Sequence, residues 1–218
     1  MTETLRLYDY AASCNCYKAR LLLSNLGREY ERVPVDIFAG DTLTDEYARV
    51  NPLRETPVLE TDDGELIAQS NAILFYLAEG TEYLPDDRVA RAQVLQWTYF
   101  EQERVMPGLG GTRFRRVTGR AAADPAGDAR RFQTGLETLE TLDAQLAGRG
   151  WLVGDAATIG DLSVFAYTHV AGDAGFELER YRAVGEWLER VRALPGFVDD
   201  LAPYPENARP GKGRSIYD

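Results

Sequence analysis

What most limits the fold of this chain is where its extended segments stop: strand-like runs occupy the first third, and from Asp86 onward only helical periodicity remains. Leu5-Arg6-Leu7-Tyr8-Asp9-Tyr10 alternates in character and reads as a strand. Ser13 then opens an apolar helical run through Tyr17, Leu21, Leu22 and Leu26, closed by Gly27 as a C′ residue. Tyr30 to Val35 reads as a second strand, giving a β-α-β unit with a right-handed crossover. A short helix near Thr44–Val50 follows. Pro57-Val58-Leu59-Glu60 and Leu66-Ile67-Ala68, joined by Asp62-Asp63-Gly64, read as a hairpin, and Ser70 to Leu77 as a closing helix.

Helices are expected over 88–106, 128–147, 160–171 and 180–193, with Gly-, Pro- and Ala-rich loops between them. Gly80 to Pro85 looks like a linker, and Thr158-Ile159-Gly160-Asp161 is a capping box. The expected organisation is an α/β domain over 1–80, a linker at 81–85, an all-helical domain over 86–202 and a tail from 203 to 218. That tail is rich in Pro and Gly and reads as a surface strap or an unpacked end. No internal repeat or low-complexity block interrupts either part.

With 218 residues, 44% of them hydrophobic, a core can form without staples. No stretch approaches the ~18–20 apolar residues of a membrane span, and the acidic N-terminus lacks the pattern of a signal peptide. Two cysteines, Cys14 and Cys16, cannot make a disulfide framework, so a reducing cytoplasmic setting is expected. Acidic side chains outnumber basic ones 35 to 24. Nucleic acid and anionic membrane are therefore excluded as partners, since both demand a basic face.

Three segments carry possible chemistry. Ser13-Cys14-Asn15-Cys16-Tyr17-Lys18 lies where the first strand gives way to the first helix, and unpaired N–H groups with the helix dipole attract an anion there. Thr56-Pro57-Val58 opens the third strand, and Pro57 is expected to follow a cis bond that presents backbone groups. Gln69-Ser70-Asn71 stands at the mouth of the third helix and repeats the anion logic. Singly, Ser13 and Ser70 read as helix caps and Pro57 as a strand-edge proline. All three fall at β/α junctions, and a sheet whose carboxyl ends face one crevice would bring them together.

These residues together resemble a cytosolic glutathione transferase, over nearly the whole chain. The resemblance implies an α/β thioredoxin-like N-terminal domain plus an all-α C-terminal helical domain. It also implies glutathione as co-substrate, no metal, and a homodimer. Ser13 to Arg20 (Ser-Cys-Asn-Cys-Tyr-Lys-Ala-Arg) is similar to the Ser- and Cys-type classes rather than the Tyr-type ones. The zeta motif Ser-Ser-Cys-Ser-aromatic-Arg-Val-Arg places its catalytic Ser on Ser13, and the beta class places its Cys there. The nu motif Thr-Pro-Asn-Gly-His-Lys places its Thr on Ser13 and its functional Asn on Asn15. Ser13 and Asn15 are thus the expected catalytic residues, with the class left open. Thr56, Pro57 and Val58 fall on the segment that pairs with the cysteinyl backbone of glutathione, and Gln69 and Ser70 on the pair that holds the γ-glutamyl carboxylate. Arg54 and Glu55 depart from the family pattern; Glu55 beside an anion needs a neutralising partner, for which Arg54 is the neighbour at hand.

In this reading the nucleophile is the glutathione sulfur. A free thiol ionises near pKa ~8.5, and lowering that by ~2 units requires ~2.7 kcal/mol of preference for the anion. A charge-assisted bond from the Ser13 hydroxyl supplies ~1.5–3 kcal/mol and the helix N-terminus ~0.3–1. The Asn15 amide is a second donor. A small electrophile is expected between the domains, with Tyr99, Phe100, Arg104, Arg113 and Phe114 of the helical half as candidate contacts and Tyr10 from the first domain; each of the five also reads as core or dimer surface. Cys14 could support thiol exchange if its thiol faced glutathione, but reads better as an inert first-turn residue; Cys16 and His169 read as packed. The rival readings are a glutathione-dependent disulfide reductase, a zeta-like isomerase, and a non-catalytic ligand-binding or docking protein.

Overall fold

The computed structural model describes residues 5–217, and the chain divides into two units: one reaching to Leu77 and resuming at Val198, the other Ala78–Phe197. In the first, β1 (Leu5–Asp9), β2 (Tyr30–Pro34), β3 (Val58–Glu60) and β4 (Leu66–Ala68) form a sheet of order β2-β1-β3-β4. β1 runs parallel to β2 and antiparallel to β3, which pairs antiparallel with β4. The parallel pair needs a crossover, and α1 (Cys14–Asn25) provides it. α2 (Asp45–Val50) and α3 (Ser70–Ala78) complete a thioredoxin-like unit.

Alternation along β1 points Leu5, Leu7 and Asp9 into the interior. A carboxylate there must be paired. Arg20 Nη1 meets Asp9 Oδ1 at 2.5 Å, and Arg32 Nε donates to Asp9 Oδ2 at 2.9 Å. Both arginines also reach Asp200: Arg20 Nε lies 2.9 and 3.0 Å from its two oxygens, and Arg32 Nη1 lies 3.2 Å away. Two cations and two anions close a neutral box that joins β1, α1, β2 and the C-terminal segment.

That segment stays on the first unit as far as Arg214. Tyr17 Oη donates to Val198 O at 2.6 Å, Ala202 N–H to Ala11 O at 3.1 Å, and Arg214 N–H to Phe38 O at 2.8 Å. At Gly213 a Cβ would stand 2.3 Å from Asn207 O and 2.6 Å from Phe38 O, so only glycine lets the segment approach so closely.

The second unit contains α4 (Arg88–Phe100), α5 (Gly111–Val117), α6 (Pro125–Leu146), α7 (Ile159–Thr168) and α8 (Arg182–Arg192). Where periodicity predicts one helix over 88–106, the turns widen into a π-helix, Glu101–Gly110, that leads directly into α5. Pro107 has no N–H to give the ladder, and beyond it the Gly111 N–H reaches back five residues to Met106 O. The helix predicted from 128 begins at Pro125 behind the cap Asp124, and the one predicted to 171 ends at Thr168. Thr158 and Asp161 form the capping box at α7. The fully buried Asp161 carboxylate accepts from Thr158 N–H (2.9 Å) and hydroxyl (3.0 Å), Leu152 N–H (3.0 Å) and Trp187 Nε1 (3.0 Å). Burial pushes its carboxyl pKa up while those four donors pull it down. Among the described residues, no helix is long and apolar enough to cross a membrane.

Candidate functional site

Ser13 is the N-cap of α1: its backbone is extended and its Oγ accepts from Cys16 N–H at 3.3 Å. Accepting that bond leaves the hydroxyl its proton to donate. The first turn of α1 carries no acidic residue, so the positive end of its dipole is not offset within the helix.

Asn15, in the same turn, reaches across to the start of α3. Ser70 Oγ donates to Asn15 Oδ1 at 3.1 Å, and Lys18 Nζ lies 3.0 Å from the same oxygen and 3.3 Å from Ser70 Oγ. Two of the three predicted junctions thus meet through side chains. Gln69, which precedes Ser70, has φ 71, a left-handed backbone that costs a non-glycine residue about 1–3 kcal/mol. Its Nε2 lies 3.4 Å from Glu55 Oε2.

The third junction adjoins them. The Thr56–Pro57 bond is cis, as expected. Just before it, Glu55 O accepts from Tyr47 Oη at 3.0 Å and Asn51 Nδ2 at 2.9 Å, which pins the loop to α2. Pro57 and Val58 are buried, Val58 at the head of the inner strand β3. Arg54 does not turn to Glu55: its Nη1 donates to Thr42 O (3.0 Å) and Thr44 O (2.8 Å), and its Nη2 approaches Asp45 Oδ1 at 3.7 Å. Arg54 adopts φ 56, so the residue that departs from the family pattern also departs from ordinary backbone.

Both cysteines are buried. Tyr10 N–H donates to Cys16 Sγ at 3.3 Å, and the Ser13 and Thr56 hydroxyls also favour its thiolate. Burial outweighs all three and holds the thiol at about 12, too high for a nucleophile at neutral pH. Tyr10 packs edge-on against Phe38 with ring centres 5.9 Å apart. Its hydroxyl is buried with no hydrogen-bond partner among the described residues.

The other expected contacts lie in the second unit. Arg113 is buried and its Nε pairs with Asp173 Oδ2 at 2.8 Å, so its charge has an internal partner. Phe114 lies under the Arg120 guanidinium at 5.0 Å. Tyr99 is 71% exposed. His169 stacks on Phe165 and places Nδ1 2.9 Å from Phe165 O, a packed helix residue. Lys18 closes the first segment flagged in the sequence, which gives it no role of its own. Its position three residues after Asn15 on one helix face was the available signal.

A thioredoxin-like unit with polar groups gathered at three strand–helix junctions, followed by an all-helical unit, defines the architecture of glutathione-dependent transferases. Residues 3–79 match the family model described as glutathione S-transferase, N-terminal domain, and residues 126–205 the glutathione S-transferase, C-terminal domain. The chain is 33% identical over 165 residues to glutathione S-transferase stcT of Emericella nidulans, covering 73% of this chain and 75% of the relative. It is 29% identical over 195 residues to the disulfide-bond oxidoreductase YfcG of Escherichia coli, covering 85% and 89%. A glutathione S-transferase crystal structure from Xanthobacter autotrophicus Py2 is 38% identical, superposes with a TM-score of 0.87, and is matched over 92% of this chain and 98% of its own. The chain belongs to the glutathione S-transferase family and is an enzyme of that family.

Proposed function

We propose that this enzyme binds glutathione in its thioredoxin-like unit, holds the thiol as thiolate and directs it at a small electrophile. The observation that carries the reading is the donor pair at the start of α1: the Ser13 hydroxyl at the N-cap, and Asn15, whose amide oxygen is already engaged by Ser70 and Lys18. The Asn15 NH2 and the Ser13 O–H then serve the sulfur. The Thr56 backbone before Pro57 pairs with the cysteinyl backbone, Val58 backs that segment from β3, and Gln69 and Ser70 receive the γ-glutamyl carboxylate at the mouth of α3. The thiol proton passes to solvent, the sulfur lone pair forms the new C–S bond, and the electrophile's leaving group departs with the electrons of the bond that breaks.

The test is an ultraviolet difference titration of bound glutathione across pH. The expected thiolate midpoint lies about two units below the ~8.5 of a free thiol. In Ser13→Ala it should rise by about one unit or more, since a charge-assisted bond of ~1.5–3 kcal/mol is lost, while binding largely persists. Absence of glutathione binding would sink the reading; an unshifted midpoint in Ser13→Ala would move the donor role to Asn15 or Tyr10. A second reading, glutathione-dependent disulfide reduction, is supported by the Asn15 amide at the start of α1 and by the likeness to the E. coli oxidoreductase. Parallel assays with a chloride-bearing aromatic electrophile and a small disulfide separate the two.

A further inference from the structure

Lys18 is fully buried on α1, and its ammonium reaches both Asn15 Oδ1 (3.0 Å) and Ser70 Oγ (3.3 Å). Lysine carries three donors and no acceptor, so the Asn15 atom facing it has to be the oxygen. The Ser70 hydroxyl donates to that same oxygen at 3.1 Å. With its oxygen held by two donors, the Asn15 amide has one orientation, NH2 turned away from Lys18 and Ser70. Asn15 and Ser70 are 55 residues apart and belong to different helices, so this ammonium and the bond it supports tie the starts of α1 and α3 together.

We infer that Lys18 is a positioning residue: acting through Asn15 and Ser70, it keeps the Asn15 amide presented as a donor to the glutathione sulfur and couples that donor to the carboxylate end of the site. The inference rests on the glutathione reading above. Without the ammonium, the amide is free to turn by half a rotation and face a thiolate with its oxygen. The site then loses a donor and gains a repelling acceptor.

The experiment compares bound-thiol midpoints in wild type, Lys18→Met, Lys18→Arg, Asn15→Ala and the double variant Lys18→Met/Asn15→Ala, each first shown to be folded by circular dichroism. Lys18→Met is expected to raise the midpoint by about one unit, a tenfold loss of thiolate below it. Lys18→Arg, which keeps donors and charge, should recover part of that shift. In the Asn15→Ala background the lysine change should add almost nothing, because its route to sulfur is gone. If Lys18→Met fails to fold, Lys18→Gln is read the same way: a raised midpoint supports the role and an unchanged one overturns it. A Lys18→Met midpoint equal to wild type, or a shift as large without Asn15 as with it, overturns the inference while leaving a lowered wild-type midpoint, and with it the glutathione reading, intact. A wild-type midpoint that is not lowered takes down both.

Discussion

Asp200→Ala should cost the first unit about 1.5–4 kcal/mol. The Arg20 side chain is 0% exposed, and its Nε has both Asp200 oxygens as partners at 2.9 and 3.0 Å. Removing them strands a buried charged donor, a loss of about 1.5–3 kcal/mol. The bond from Arg32, whose side chain is 42% exposed, adds about 0–1 kcal/mol. Asp9 still pairs with both arginines, which keeps the cost below that of emptying the box. With a urea slope of about 2 kcal/mol/M, the midpoint should fall by about 0.7–2 M when unfolding is followed by far-ultraviolet circular dichroism. Trp97, Trp151 and Trp187 all belong to Ala78–Phe197, so their fluorescence follows that unit and serves as the internal reference. Asp199→Ala is the control: its side chain is exposed and makes no ion pair among the described residues. An Asp200→Ala shift below about 0.5 kcal/mol, no larger than that control, would refute the argument that the box holds the C-terminal segment in place.

Alkaline stability should depend on Cys16, whose thiol rises from an ordinary 9.0 to about 12. The folded chain keeps this proton where the unfolded chain releases it. Stability is therefore untouched below about pH 9 and lost between pH 9 and 12 at about 1.4 kcal/mol per unit. Denaturant titrations from pH 8 to 11 should show Cys16→Ala with the shallower decline; parallel curves would contradict this. Asp161→Ala should destabilise the helical unit by about 3 kcal/mol or more, because four donors lose a buried acceptor, Trp187 Nε1 among them. Tryptophan fluorescence during urea unfolding reads this directly, and a loss under about 1 kcal/mol would count against it.

Much of the first unit was legible because its signals are local. Alternation in Leu5–Asp9, the Ser13 cap and the Gly27 stop lie within a few residues of what they specify, and β1, α1 and the left-handed Gly27 follow them. The same locality made Pro57 and the Thr158–Asp161 box readable. What escaped depends on partners far along the chain. Lys18 meets Ser70 from 52 residues away and Arg20 meets Asp200 from 180, and no window of sequence contains both members. Arg54 misled in another way: adjacency to Glu55 suggested neutralisation, but a left-handed backbone at Arg54 sends its guanidinium to the carbonyls of Thr42 and Thr44 instead. The π-helix escaped because the side-chain pattern of Glu101–Gly110 still suits a helix, while Pro107 changes only which backbone atoms bond.

The discontinuity of the first unit sets an order on the protein's own manufacture. A ribosome that has released Leu77 has delivered the whole sheet, yet Asp9, Arg20 and Arg32 must wait for Asp200 until Ala78–Phe197 has been synthesised. At about 5–20 residues per second those 120 residues take about 6–24 s. For that interval the box holds two arginines, Arg20 and Arg32, against the single carboxylate of Asp9. The helical unit is continuous in sequence. Of the two units, the one translated earlier is therefore completed later, and nascent chains stalled before Val198 should carry a first unit more open to protease than one joined by Asp200.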